Sequence, residues 1–215
     1  MRTITNIFAN DGRTNRGHLI RRWMVTVGFA ASVLIAFAAS VRAHPAAKPD
    51  AKPDAEASRA AFLQVYRVLT SPRCQNCHPA GDAPLQGDDS HVHIQNVKRG
   101  PDGHGLYGMR CDTCHQATNL PGAHMPPGNP KWSLPPAKMK MVFVGRPAGE
   151  LCRQIKDPKQ NGGRSMEALI DHVANDDLVG WGWNPGDGRT LPPLTRPETV
   201  AQLKIWIDGG AACPK

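Results

Sequence analysis

Two copies of one short pattern, Cys-x-x-Cys-His, are the residues of this chain best suited to chemistry. They comprise Cys74, Cys77 and His78 in the first copy and Cys111, Cys114 and His115 in the second. Two thiols at this spacing can each add to one vinyl group of the same haem, and the histidine that follows can bind the iron. The motifs therefore predict two covalently attached c-type haems, each with a proximal histidine ligand.

Three other interpretations of the motif cysteines remain open from the sequence. The four thiols could form a zinc site, but both adjacent histidines would then have no role. A Cys-x-x-Cys pair can also be a thioredoxin-like redox site, which requires a βαβ context that the sequence does not indicate. Exported cysteines can also form disulfides. Two motifs that both end in histidine favour haem attachment.

A haem iron can take a sixth ligand, and the sequence offers several histidines for this position. His172 is the first candidate distal ligand, because it lies in an amphipathic helical segment beside Leu169 and Val173. A surface or helix-capping histidine is the alternative there. His93 is the second candidate, and His124, in the turn-rich segment LPGAHMPPG, is a weaker one. A methionine ligand instead would raise the reduction potential.

The remaining cysteines, Cys152 and Cys213, have no partner at Cys-x-x-Cys spacing. Outside the cytoplasm, the simplest expectation is a structural disulfide between them. It would close a loop of about 60 residues and stabilise the fold by roughly 4 kcal/mol in the chain-entropy picture. We assign these two cysteines no catalytic role.

Helical periodicity marks the segments that must position these residues. Apolar residues recur at helical spacing after Ser58 and again after Ser165, and a short helix is expected at 147–155. Thr195 and Glu198 form a capping box that opens a last helix, which should end at Gly209. No segment alternates convincingly as a strand. The predicted fold is mostly α, with short helices, long ordered loops and no substantial sheet, packed around the two haems.

The composition agrees with such a loop-rich fold. The chain has 21 glycines and 20 prolines, and only 6% of its residues are aromatic. A chain of this kind buries little apolar mass of its own, and two porphyrins would supply more. Four tryptophans are expected to pack against haem edges, with ordinary hydrophobic burial as the alternative: Trp132, Trp181, Trp183 and Trp206.

The first 43 residues have the order of an export signal. Arg21 and Arg22 precede an uncharged stretch from Trp23 to Val41, and Val41-Arg42-Ala43 then offers small residues at the positions that a signal peptidase reads. We predict a signal peptide at 1–43, a flexible linker at 44–57 and a dihaem domain at 58–215. An uncleaved membrane anchor is the alternative, because the apolar run approaches the ~20 residues that span a bilayer. Either way the domain is expected in the periplasm or otherwise exported.

The charge distribution limits the range of partners. The formal charge is +8, but residues 1–43 carry six arginines against one aspartate, so the exported part is close to neutral. No basic stripe with interleaved aromatic residues is present, and nucleic acid is therefore not an expected partner. The expected partners are redox proteins, and membrane association follows only if the N-terminal segment is uncleaved.

From His93 to Cys213 the chain resembles small exported proteins described as isoquinoline 1-oxidoreductase subunits. The resemblance is carried by the segments NVKRGPDGHGLYGMRCDTCH, LPGAHMPPGNPKW, LPP and KDPKQNGGRS and by the helix that holds His172. The family name implies an association with molybdenum hydroxylases, whose electrons could pass to a cytochrome. This chain lacks the further cysteine clusters that the iron–sulfur domains of such hydroxylases need.

These observations together predict a periplasmic dihaem c-type cytochrome. It would transfer electrons between a dehydrogenase, possibly a molybdenum hydroxylase, and a downstream acceptor. The alternative is a dihaem enzyme such as a peroxidase, which would leave one distal iron position open. A haem sensor or storage module is a third possibility. Carbon monoxide binding to the reduced protein would separate electron transfer from the other two.

Overall fold

Six α-helices and two small β-hairpins form the part of the chain that the computed structural model describes, residues 54–215. The helices are α1 (Ala55–Leu69), α2 (Pro72–Gln75), α3 (Ala148–Lys156), α4 (Met166–Asn175), α5 (Asp177–Trp181) and α6 (Arg196–Asp208). The strands are β1 (Leu85–Gln86), β2 (His91–Val92), β3 (Gly105–Leu106) and β4 (Met109–Arg110). The prediction of a mostly α fold without a substantial sheet is confirmed for this part of the chain.

Helix α1 begins earlier than the sequence indicated. The carboxylate of Asp54 accepts hydrogen bonds from the backbone N–H groups of Glu56 and Ala57, both at 3.0 Å, and so caps the helix. The predicted cap, Ser58, instead lies inside the helix and is fully buried. Residues 55–57, assigned to the linker on the sequence, therefore belong to α1, because an aspartate outside the apolar pattern caps it.

The hydroxyl of Ser58 ties the two ends of the described chain together. It donates to the carbonyl oxygen of Trp206 at 2.6 Å and accepts from the N–H of Ala212 at 2.9 Å. Both contacts join α1 to the end of α6. A buried hydroxyl with two partners is a satisfied polar group, which explains why a serine stands in this apolar contact.

The expected caps of α4 and α6 are present. Ser165 accepts from the N–H of Ala168 at 3.2 Å, and Thr195 and Glu198 form a capping box. Helix α6 ends at the C-cap Gly209. These local signals are short-range in sequence, which is why they predict helix ends well.

The hydrophobic core lies between α1, α3, α4 and α6. Phe62 and Trp206 are both fully buried and pack with ring centroids 5.0 Å apart. Cys152 in α3 forms a disulfide with Cys213, with their Cα atoms 5.6 Å apart. This is the pairing predicted from the sequence, and it holds the C-terminal segment against α3.

Both hairpins lie in the first of the two long loops, residues 79–110, and neither lies in the second, residues 116–147. The sequence did not predict them. Strand β1 pairs with β2 and β3 with β4, each antiparallel and only two residues long. Arg99, which is 1% exposed, holds the loops together by donating to the carbonyl oxygens of Pro135 and Gly81. Two-residue strands are too short to show an alternating pattern.

The predicted signal peptide and most of the linker lie outside the described residues. Within residues 54–215, none of the helices combines the length and apolar character needed to cross a bilayer.

Candidate cofactor sites

A cavity of about 670 Å³ lies beside the first Cys-x-x-Cys-His motif. Cys74, Cys77 and His78 line one part of it, and residues of α1, α4, α5 and α6 and of the loop at 133–143 line much of the rest. Its walls are largely apolar, with Val65, Leu169 and other aliphatic side chains among them, and charged side chains such as Arg73 and Arg164 also line it. The volume falls within the range of about 300–1,000 Å³ that is typical of sites for cofactor-sized ligands.

Local backbone hydrogen bonds hold the first motif, which begins in α2 and continues past its C-terminal end. The N–H groups of Cys74, Cys77 and His78 each donate to the carbonyl oxygen three residues earlier. The distances are 3.0 Å from Cys74 to Ser71, 3.2 Å from Cys77 to Cys74 and 3.0 Å from His78 to Gln75. Pro72 at the start of α2 presets the backbone for this tight turn. As a result, both thiols and the imidazole line one cavity, although they come from only five consecutive residues.

The imidazole of His78 is oriented by a backbone carbonyl. Its Nδ1 lies 2.7 Å from the carbonyl oxygen of Met141, and its ring stacks on Phe143 with centroids 3.9 Å apart. Burial lowers the pKa of His78 to about 4, so the ring is neutral at pH 7. With Nδ1 donating to the carbonyl, Nε2 has the lone pair that a metal needs.

His172, the first candidate distal ligand, lines the same cavity as His78. It lies on α4, and its Nδ1 is 3.5 Å from Oδ2 of Asp176 one turn further along the chain. Burial is the main cause of its lowered pKa, which Arg164 lowers further and Asp176 partly offsets. His172 is close enough to His78 to lower the pKa of that ring as well. The structure thus brings together two neutral imidazoles that are 94 residues apart in the sequence.

The second motif lies in a tighter turn and is more open to solvent. Cys111 begins a single 3-10 turn after β4, and Cys114 is exposed. The Nδ1 of His115 lies 2.8 Å from the carbonyl oxygen of Pro127, while its ring stacks on Trp132 with centroids 4.5 Å apart. Both motif histidines therefore have the same arrangement, with Nδ1 bonded to a carbonyl oxygen and one ring face on an aromatic side chain.

His93, the second candidate distal ligand, lies beside the second motif and not the first. Its ring centroid is 6.1 Å from that of His115, with an angle of 68° between the ring planes. Its Nδ1 is buried and has no hydrogen-bond partner among the described residues. The neighbouring His91 is exposed and pairs with Asp89 at 2.7 Å. The two histidines of this segment therefore differ in burial and in partner.

The two motifs are close together. Burial raises the pKa of the Cys74 thiol to about 12 and that of Cys77 to about 11, and the nearby Cys111 contributes to the second of these shifts. Both buried groups are therefore neutral thiols at pH 7, unlike the thiolates of reactive cysteines. Among residues 54–215, no three His, Cys, Asp or Glu side chains are clustered so that they could hold a metal ion by themselves.

Aromatic contacts connect the two motif regions. Trp132, which stacks on His115, meets the ring of Trp181 edge-on with centroids 4.8 Å apart. Trp181 and Trp183 both line the cavity of the first motif. Trp206 does not line this cavity, because it packs on Phe62 in the core. The prediction that Trp206 packs against a haem edge was therefore wrong. Burial in the core accounts for that side chain.

The weaker candidate, His124, is not brought to the cavity. Its side chain is exposed, its backbone has a positive φ of 59°, and its N–H donates to the carbonyl oxygen of Asp187. Met139 and Met141 do line the cavity. The carbonyl partners and the aromatic rings stacked on His78 and His115 could not be inferred from the sequence, because loops with no periodic pattern bring them to the motifs.

Comparison with protein-family models, with curated proteins and with solved structures found no match for this chain.

Proposed function

We propose that this chain is an exported dihaem c-type cytochrome that transfers electrons. The observation that carries the proposal is the first motif: two thiols and a neutral, carbonyl-oriented imidazole face a largely apolar cavity of cofactor size, and a second imidazole lines that cavity. The second motif repeats the carbonyl-bonded imidazole. The haems would supply the redox chemistry, while the protein holds them and sets their potentials.

Residue roles follow from these contacts. Cys74 and Cys77 would hold the first haem through thioethers, His78 would be its proximal ligand and His172 its distal ligand. The proximal carbonyl bond fixes the tautomer and makes the ring a better ligand. Arg73 lines the same cavity and is 5% exposed; its Nη2 pairs with Asp88 at 2.6 Å, while its Nε is buried without a partner among the described residues and could donate to a carboxylate of the bound group.

Cys111 and Cys114 would hold the second haem, with His115 as its proximal ligand. In both sites the haem would supply apolar mass that the loop-rich chain lacks. We therefore propose that the mostly helical fold packs around two haems. A donor such as a molybdenum hydroxylase, which the family resemblance implies, would reduce one iron, and a soluble or membrane-bound acceptor would oxidise the other.

The test is the mass and spin state of the protein made in a periplasm with c-type maturation. We expect the processed chain plus two haems, and loss of one haem in each of the variants Cys77→Ser and Cys114→Ser. A mass equal to the bare chain, or one bound zinc ion, would contradict the proposal. A dihaem enzyme would show one high-spin iron in the oxidised wild-type protein.

A further inference from the structure

We infer that His93 is the distal ligand of the second iron, opposite His115. This inference rests on the proposed function, since it assigns a ligand to a haem attached at Cys111 and Cys114. It divides the distal histidines between the two sites: His172 belongs to the first motif and His93 to the second. The loop after the first motif thereby completes the site of the other.

The separation of the two rings fits a shared metal. Two imidazoles bound to one metal from opposite sides, each at a metal–nitrogen distance of about 2 Å, have ring centroids roughly 6 Å apart. The centroids of His93 and His115 are 6.1 Å apart. The two rings are inclined at 68°, and the edge-on rings of Trp132 and Trp181 lie closer together, with centroids 4.8 Å apart. The gap between the two imidazoles therefore has the width of a bis-imidazole iron site.

The backbone holds His93 in place for this role. Its N–H donates to the carbonyl oxygen of Pro84 at 3.0 Å, at the end of the β1–β2 hairpin. Its Nδ1, buried without a hydrogen-bond partner among the described residues, is a polar group that costs free energy in the protein alone. A group that binds Nδ1 itself would offset that cost. His91, two residues earlier, has Asp89 as its partner instead.

The experiment counts open iron sites in the purified holoprotein. Carbon monoxide is titrated into the reduced protein, and low-temperature EPR of the oxidised protein counts high-spin iron. We expect no CO bound by the wild type and one CO in each of the variants His93→Ala and His172→Ala. The double variant should bind two, because the two histidines serve different irons. The variant His91→Ala is the matched control and should behave like the wild type.

The outcomes separate this inference from the proposed function. If mass spectrometry shows fewer than two haems in the wild type, the proposed function itself fails. If two haems are present and His93→Ala stays fully low-spin, only the inference about His93 fails. A double variant that binds one CO would overturn it too, since both histidines would then serve the same iron.

Discussion

The Nδ1 of His172 lies 3.5 Å from Oδ2 of Asp176, one turn further along the chain. The same aspartate caps α5, since its Oδ1 accepts from the N–H groups of Leu178 and Val179 at 2.9 and 3.1 Å. One carboxylate therefore lies beside the candidate ligand and caps the helix that carries Trp181. A partner on the outer nitrogen of a ligating histidine strengthens that ligand.

The substitution Asp176→Asn should weaken His172 as a ligand while it keeps the helix cap, because asparagine caps as well as aspartate. Loss of such outer partners weakens metal sites by roughly 10- to 100-fold, so cyanide should displace His172 about tenfold more readily. The reduction potential of one haem should also rise, as the ligand donates less. Optical cyanide titration and redox titration measure both.

The control for Asp176→Asn is Asp171→Asn on α4, the helix of His172. It removes an equal charge, but the carboxylate of Asp171 bonds to Asn175 at 2.6 Å and not to the imidazole. Equal effects of the two substitutions would mean that charge alone, and not the contact with His172, is responsible.

Electron exchange between the two sites should depend on the pair Trp132 and Trp181. Trp132 stacks on His115 and meets Trp181, which lines the cavity of the first motif. Replacing Trp132 with leucine removes the ring from this contact, so exchange between the haems should slow several-fold. NMR exchange spectroscopy of the haem methyl signals can measure the rate. Trp183→Leu is the control, because Trp183 lines the cavity without a ring contact to Trp132. An unchanged exchange rate in Trp132→Leu would rule out a role for the pair.

Removing the disulfide with the double substitution Cys152→Ser and Cys213→Ser should lower the free energy of unfolding by about 4 kcal/mol, on the chain-entropy estimate for a loop of this size. The bond spans 61 residues, and Cys152 is fully buried in the core. Guanidinium denaturation of the holoprotein measures the change. Reducing agent breaks the same bond in the wild type, so the double variant should lose no more unfolding free energy than the reduced wild type does. A larger loss would mean that the serines disturb the packing of the core.

Substituting Ser58 with alanine should destabilise the fold by about 1–3 kcal/mol, because the N–H of Ala212 loses its buried acceptor. Ser133→Ala, at a partly exposed hydroxyl that bonds only to Lys131, is the matched control and should have little effect. Thermal denaturation distinguishes the two. Equal melting temperatures for both variants would mean that the contact between α1 and the end of α6 contributes little.

The haem-free chain should lose stability as the pH falls from about 6.5 towards 4. The folded chain keeps His78 neutral down to a pKa of about 4, whereas the unfolded chain protonates this histidine near 6.5. Between these values the unfolded state binds more protons, so acid favours unfolding. Burial shifts the pKa of His93, His115 and His172 in the same direction.

Urea denaturation of the haem-free chain at pH 7 and pH 5 tests this, with a lower midpoint expected at pH 5. The variant His78→Gln should show a weaker dependence on pH. A midpoint that does not change, or that rises in acid, would contradict the neutral state assigned to the buried imidazoles.

The sequence by itself determined the local elements and the positions of the candidate ligands along the chain. The thiol spacing in both motifs, the caps at Ser165 and Thr195 and the helical periodicity are all set by residues within one or two turns of each other. The early start of α1 was missed because Asp54 lies outside the apolar pattern. The two hairpins were missed because strands of two residues carry no alternation.

Only the tertiary structure decided which residues meet. Nothing local places His172 in the cavity of His78, or His93 beside His115 instead of the motif that precedes it in the chain. A long loop carries His93, whereas His172 reaches the cavity from α4. The paths of the long loops depend on buried groups such as Arg99, which bonds distant carbonyls. Contacts of this kind depend on how the whole chain packs, which a pattern of neighbouring residues does not encode.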